Sequence, residues 1–104
     1  MGTMIVMKPG DDRAPRLKLE GQPTLEQVQA LVGGYVEMVT QWTEDDGRPA
    51  QMLANEEGLL KNLPPNSVAT QMLTKIMGGP PPQLADGFLR GAVVVLIGED
   101  VVWD

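Results

Sequence analysis

The chain is predicted to fold as a small α+β domain, a mostly antiparallel sheet with two short helices. Three observations lead there. Thr24 followed by Leu25, Val28, Leu31 and Val32 has the spacing of a capped amphipathic helix that stops at Gly33. Residues 35–42 alternate polar and apolar, and residues 92–97 form an unbroken apolar run rich in β-branched side chains. Val68, Ala69, Met72, Leu73 and Ile76 then return to a helical spacing. Read in order, the elements are about β-β-α-β-β-α-β-β, in a single domain spanning residues 1–104. The simplest arrangement sets both short helices on one face of the sheet.

The first two strands are read from Met4–Met7, which is apolar, and from Arg16–Leu19, which alternates. Lys8-Pro9-Gly10-Asp11-Asp12 between them is rich in turn formers. Gly21-Gln22-Pro23 breaks the chain before the first helix. Gln27, three residues after Thr24, completes a capping box, and Glu26 suits the positive end of the helix dipole. Gly33 supplies the left-handed residue that ends it. This helix is too short to be stable alone in water, so its apolar side must pack on the sheet.

In the strand that follows, strict alternation puts Val36, Met38, Thr40 and Trp42 on one face and Tyr35, Glu37, Val39 and Gln41 on the other. A polar loop, Thr43–Pro49, leads to a return strand over Gln51–Ala54. Asn55-Glu56-Glu57-Gly58 reads as a turn, and Leu59, Leu60 and Leu63 bring the chain back to the core. Pro64-Pro65 stops the segment, and Asn66 or Ser67 starts the second helix, which Gly78-Gly79 and three prolines end. Residues 78–90 show no periodicity. The run Ala92–Ile97 is apolar on both faces, as in a central strand covered on both sides or one that meets a partner chain. After the turn Gly98-Glu99-Asp100, Val101–Trp103 reads as a short last strand.

Composition narrows the chemistry. There is no cysteine and no histidine, which removes disulfides, thiolate metal sites and Ser-His-Asp or Cys-His nucleophile systems. The net charge is −6, the wrong sign for a nucleic-acid binder, and the basic residues Lys8, Arg13, Arg16 and Lys18 are diluted by Asp11 and Asp12. Those four charges are read as the solvated face of a hairpin. No apolar run is long enough to span a bilayer and no signal peptide is evident, so a cytoplasmic protein without a membrane partner is expected.

Four features could carry function. Gly33-Gly34 resembles a phosphate loop in composition, but it follows a helix rather than preceding one, so the helix presents its negative end and a structural turn is favoured. Glu37 with Glu56 and Glu57 could hold a hard cation or act as an acid/base pair, against the plainer reading of an acidic rim. Glu44-Asp45-Asp46 could face a basic partner protein. Seven methionines and two tryptophans, with Trp42 and Trp103 at strand ends, point to self-association through the Val93–Ile97 strand or the last residues.

The segments LEQVQALVGGYVEMV, MLANEEGLLKNLPPNSVAT and GAVVVLIG follow one another in the chain. Together they resemble a small domain-of-unknown-function family of bacteria, phages and mobile elements, the one numbered 3846. The matching positions are Val32, Gly33, Gly34, Tyr35, Glu37, Asn55, Glu56, Glu57, Gly58, Leu63, Pro64, Asn66 and Gly91, and the likeness runs from residue 4 to residue 97. The 78–90 loop is longer than the family pattern and the tail after Gly98 is extra. The resemblance implies a small accessory protein of a bacterium, phage or mobile element, and it brings no catalytic residue.

These observations lead to a non-catalytic binding protein that acts through protein–protein contacts, as a homo-oligomer or with another protein, and without cofactor or metal. The alternative is a small-molecule or nucleotide-binding module that sequesters its ligand. Its site would form where the Gly33–Tyr35 and Asn55–Gly58 turns meet, from Gly33, Gly34, Tyr35, Glu37, Asn55 and Asn66. A carboxylate enzyme using Mg²⁺ is a further alternative, and an acidic mimic of DNA the last.

Overall fold

The continuous apolar run Met4–Met7 at the start of the chain sets an inner strand of the sheet. In the computed structural model, which describes residues 2–57, 63–79 and 89–103, Gly2–Met7 (β1) and Arg16–Leu19 (β2) pair antiparallel, with Met4 opposite Leu17 and Ile5 opposite Arg16. Val36–Thr43 (β3) and Pro49–Asn55 (β4) form a second antiparallel pair. Val93–Ile97 (β5) enters between the two, antiparallel to both β1 and β4. The strand order is β2-β1-β5-β4-β3, so β2 and β3 are the edges.

The helices form where the caps are written. Leu25–Val32 (α1) begins with a complete capping box: Thr24 Oγ1 accepts from Gln27 N at 3.1 Å and Gln27 Oε1 accepts from Thr24 N at 2.8 Å. It ends at Gly33, whose φ of 82° is open to glycine at little cost. Ser67–Met77 (α2) is capped by Asn66, whose Oδ1 accepts from Ala69 N at 3.1 Å. No helix among the described residues is long and apolar enough to cross a membrane.

The α+β class and the antiparallel sheet stand, but the helices do not share a face. Val28 and Val32 of α1 pack with Met4, Val6, Leu53, Val94 and Leu96. Ala69 and Leu73 of α2 pack with Ile5, Met7, Met52, Val93 and Val95. These are alternate residues of the same strands, so the two helices cover opposite faces. The cause is β5, which is apolar on both faces and buried throughout. Two helices on one side would leave half of its side chains in water, at about 25 cal/mol per Å² of apolar surface left exposed.

Two further expectations change. The ladder between β3 and β4 slips between Met38 and Thr40, a β-bulge. It breaks the alternation, so Val36 packs on the α1 side while Val39 and Trp42 pack on the α2 side. The eighth element is absent: Val101–Trp103 is a turn that folds over the α1 face, with Val101 fully buried. With β1 and β4 on either side of β5, the chain leaving β5 has no free neighbour to pair with. The tail is held instead by Gln51, whose Oε1 accepts from Trp103 N at 2.7 Å and whose Nε2 donates to Trp103 O. The same pairing on both sides leaves Val93–Ile97 no edge for a second copy. Gly58, Leu59, Leu60, the triple proline and most of the 78–90 loop lie outside the described residues.

Candidate functional site

The end of α1 and the end of β4 meet at one corner of the sheet. Gly33 and Gly34 both turn their N–H groups back to Gln29 O, at 2.8 and 3.2 Å. The chain then enters β3, and Tyr35 O accepts from Glu56 N at 2.8 Å. Asn55, nearly buried, lies between these segments: its Nδ2 donates to Val32 O at 3.1 Å and its Oδ1 accepts from Glu57 N at 2.8 Å. The Gly33–Tyr35 turn and the Asn55–Glu57 part of the acidic turn therefore come together.

Around this junction only some of the six candidate residues face solvent. Tyr35 is 66% exposed, and Met38, the next large apolar side chain to stand out on β3, is 44% exposed. Glu37 lies opposite Ala54 on the α2 side of the strand. Its carboxyl is held above the ordinary glutamate range, first by partial burial and second by the Glu56 carboxylate nearby. The C-terminal end of α1 adds its own partial negative charge. This corner is thus negative, with the exposed Tyr35 ring beside the acids, while Met38, opposite Leu53, stands out on the α1 side.

Asn66 does not join it. Its Nδ2 donates to Met7 O at 3.0 Å and to Gly91 O at 2.8 Å, while its Oδ1 caps α2. Completely buried, it ties α2, β1 and the approach to β5 together on the α2 face, away from the end of α1. Gly34, Asn55 and Asn66 are committed to internal contacts and the exposed Gly33 has no side chain, which leaves Tyr35 and Glu37 as the outward side chains of the set. Among the described residues no group of three or more acidic side chains is placed to hold a metal ion.

The acidic hairpin tip is partly tied down as well. Trp42 Nε1 donates to Glu44 Oε2 at 2.9 Å, and Arg48 pairs with Asp46 at 2.8 Å. The backbone N–H of Arg48, followed by its guanidinium, holds the Asp46 carboxyl below its ordinary range.

Open grooves lie elsewhere. One of ≈ 540 Å³ runs between α1 and the β1–β2 pair, lined by Met4, Leu19, Pro23, Gln27, Ala30 and Leu31. Another of ≈ 480 Å³ lies between Trp42 on β3 and Trp103 of the tail. Neither contains any of the six candidates. Sequence reasoning missed Gln51, the buried polar residue that clasps the tail; its only signal was a lone amide inside the apolar strand Ala50–Ala54.

The fold and this corner define a small α+β protein with a helix–strand junction built from a Gly-Gly turn and an Asn-Glu-Glu turn. The chain belongs to the family described as Domain of unknown function (DUF3846), which it matches over residues 2–100. No curated protein and no solved structure matches it.

Proposed function

We propose that the protein is a non-catalytic accessory protein of a bacterium, phage or mobile element, working in the cytoplasm through protein–protein contacts. The corner formed by Tyr35, Glu37 and Glu56 is its contact surface. One observation carries this reading. Asn55 and Gly34 at the junction are spent on internal contacts, while Tyr35 stands in solvent beside the Glu37 and Glu56 carboxylates. Aromatic residues are enriched in protein interfaces, and the negative corner suits a basic segment of a partner. A sequestered small molecule is less well supported, because the space beside Gly34 is filled by the Asn55 side chain. For a homo-oligomer built through the sheet, the edges on offer are β2 and β3 rather than β5.

The test is photocrosslinking with a benzophenone amino acid in place of Tyr35, in cells that express the protein, with the same probe at Thr43 as control. A discrete protein adduct from position 35 and none from position 43 is expected. Identical adducts from both positions, or none from either, would contradict the reading.

A further inference from the structure

The edge of the sheet furthest from the Tyr35 corner is built to receive a strand. We infer that β2 binds an extended partner segment in which aliphatic and acidic residues alternate. The inference goes beyond the surface proposed above and shares with it only the premise that the protein acts by binding.

The backbone comes first. Val6 N donates to Pro15 O at 3.3 Å, and Val6 and Pro15 continue the register in which Ile5 faces Arg16. In an antiparallel ladder the hydrogen-bonded pairs alternate. Leu17 and Leu19 therefore turn their polar backbone groups toward β1, and Arg16 and Lys18 turn theirs outward. That outward row has no partner among the described residues, and an added strand satisfies it.

The side chains then say which strand. Leu17 and Leu19 lie opposite Met4 and Gly2, and Met4 packs in the α1-side cluster, so both leucines point to the α1 face. There Leu17 is 48% exposed, and Leu19 borders the ≈ 540 Å³ groove whose far wall is Ala30 and Leu31 of α1. Arg16 and Lys18 point to the other face, both exposed, and neither is in an ion pair among the described residues. A strand laid beside β2 would put every second side chain over Leu17 and Leu19 at the groove, and the intervening ones beside Arg16 and Lys18. Opposite charges across a ladder attract and like charges repel. The complementary strand thus reads apolar-acidic-apolar-acidic. The lysine and arginine that protect a free edge from promiscuous pairing make it selective here.

The experiment uses the full chain and two fluorescein-labelled hexapeptides, one alternating valine with glutamate and one alternating valine with lysine. Binding is read by fluorescence anisotropy up to about 1 mM protein, the weak end of useful affinity. The glutamate peptide is expected to bind about tenfold tighter than the lysine peptide. Arg16→Glu combined with Lys18→Glu, both on exposed side chains, is expected to reverse that order. N-methylation of the peptide amides that face β2 is expected to abolish binding. In ¹⁵N-labelled protein the Arg16 and Lys18 amides are expected to shift, with those of Val36–Thr43 unmoved. Equal affinity for the two peptides, no reversal in the double variant, or shifts confined to β3 would overturn the inference. So would concentration-dependent broadening of the β2 amides without peptide, which gives the edge to a second copy. None of these results bears on crosslinking from position 35, so the two proposals fail separately.

Discussion

Gly34 and Asn55 share one space. A Cβ on Gly34 would lie 2.9 Å from Asn55 Nδ2, and that nitrogen already donates to Val32 O at 3.1 Å. The Gly-Gly turn after α1 and the Asn-Glu-Glu turn after β4 are therefore one structural unit: the missing side chain makes room for the amide that joins them.

Replacing either partner should be costly, and replacing both should cost less than the sum. Gly34→Ala forces a pinned amide to move, at about 1–3 kcal/mol. Asn55→Ala leaves Val32 O and Glu57 N without their partner, at about 1–3 kcal/mol. In the double variant the clash is gone, so the two effects should couple by about 1 kcal/mol or more. Urea unfolding of the four proteins measures this, and strict additivity would refute the shared space.

Asn66 carries more of the fold than its place among candidate ligand residues suggested. Asn66→Ala removes a helix cap and two buried hydrogen bonds, with a loss of about 3 kcal/mol expected. Asn66→Asp keeps the capping oxygen but replaces the amide that serves Met7 O and Gly91 O, so it should recover little of that loss. Near-wild-type stability of the Asp variant in thermal unfolding would show that the cap alone matters.

The acidic corner makes a pH prediction with a definite sign. Glu37 is held above its ordinary value of 4.5, so the folded chain binds that proton more readily than the unfolded chain. Its contribution to stability is greatest below the ordinary value and is lost as pH rises through the raised one. Glu37→Gln should therefore raise Tm relative to wild type at neutral pH, and the advantage should vanish in acid. Glu56→Gln should shift the Glu37 carboxyl back toward the ordinary value, read by NMR titration. A larger Glu37→Gln advantage in acid than at neutral pH would contradict the account.

The tail makes the fourth prediction. Gln51 grips the backbone of Trp103 at both N and O, and the indole Nε1 donates to Pro23 O at 3.2 Å. Gln51→Ala should release the tail, with a loss of about 1–3 kcal/mol. In a Trp42→Phe background it should also move Trp103 fluorescence to the red. An unchanged spectrum would show that the tail is held by apolar packing alone.

The local parts of this fold were legible because their causes are local. Thr24, Gln27 and Gly33 write the ends of α1 within ten residues, and an apolar run on both faces of β5 marks a central strand. The positions of the helices were implied by that same run, but reading it correctly needs the covering layers as well as the strand. The bulge at Met38–Thr40 leaves no mark in a pattern that alternates evenly. The meeting of the two turns at Asn55 could be expected from a β3–β4 hairpin. The separation of Asn66 could not, because its partners Met7 and Gly91 lie 59 and 25 residues away along the chain. Likewise Arg16 and Lys18 read as solvated charges until the topology made β2 an edge.

Native mass spectrometry of gently purified protein tests the central claim most directly. If the junction is structural and the exposed corner binds proteins, the spectrum will show polypeptide masses, alone or in complexes with whole protein chains, and no small-molecule adduct. Complexes should be lost on changing Tyr35 to Ser, with the fold intact by circular dichroism. A stoichiometric small-molecule mass that disappears when Tyr35 or Glu37 is replaced would contradict the account and make the corner a ligand site.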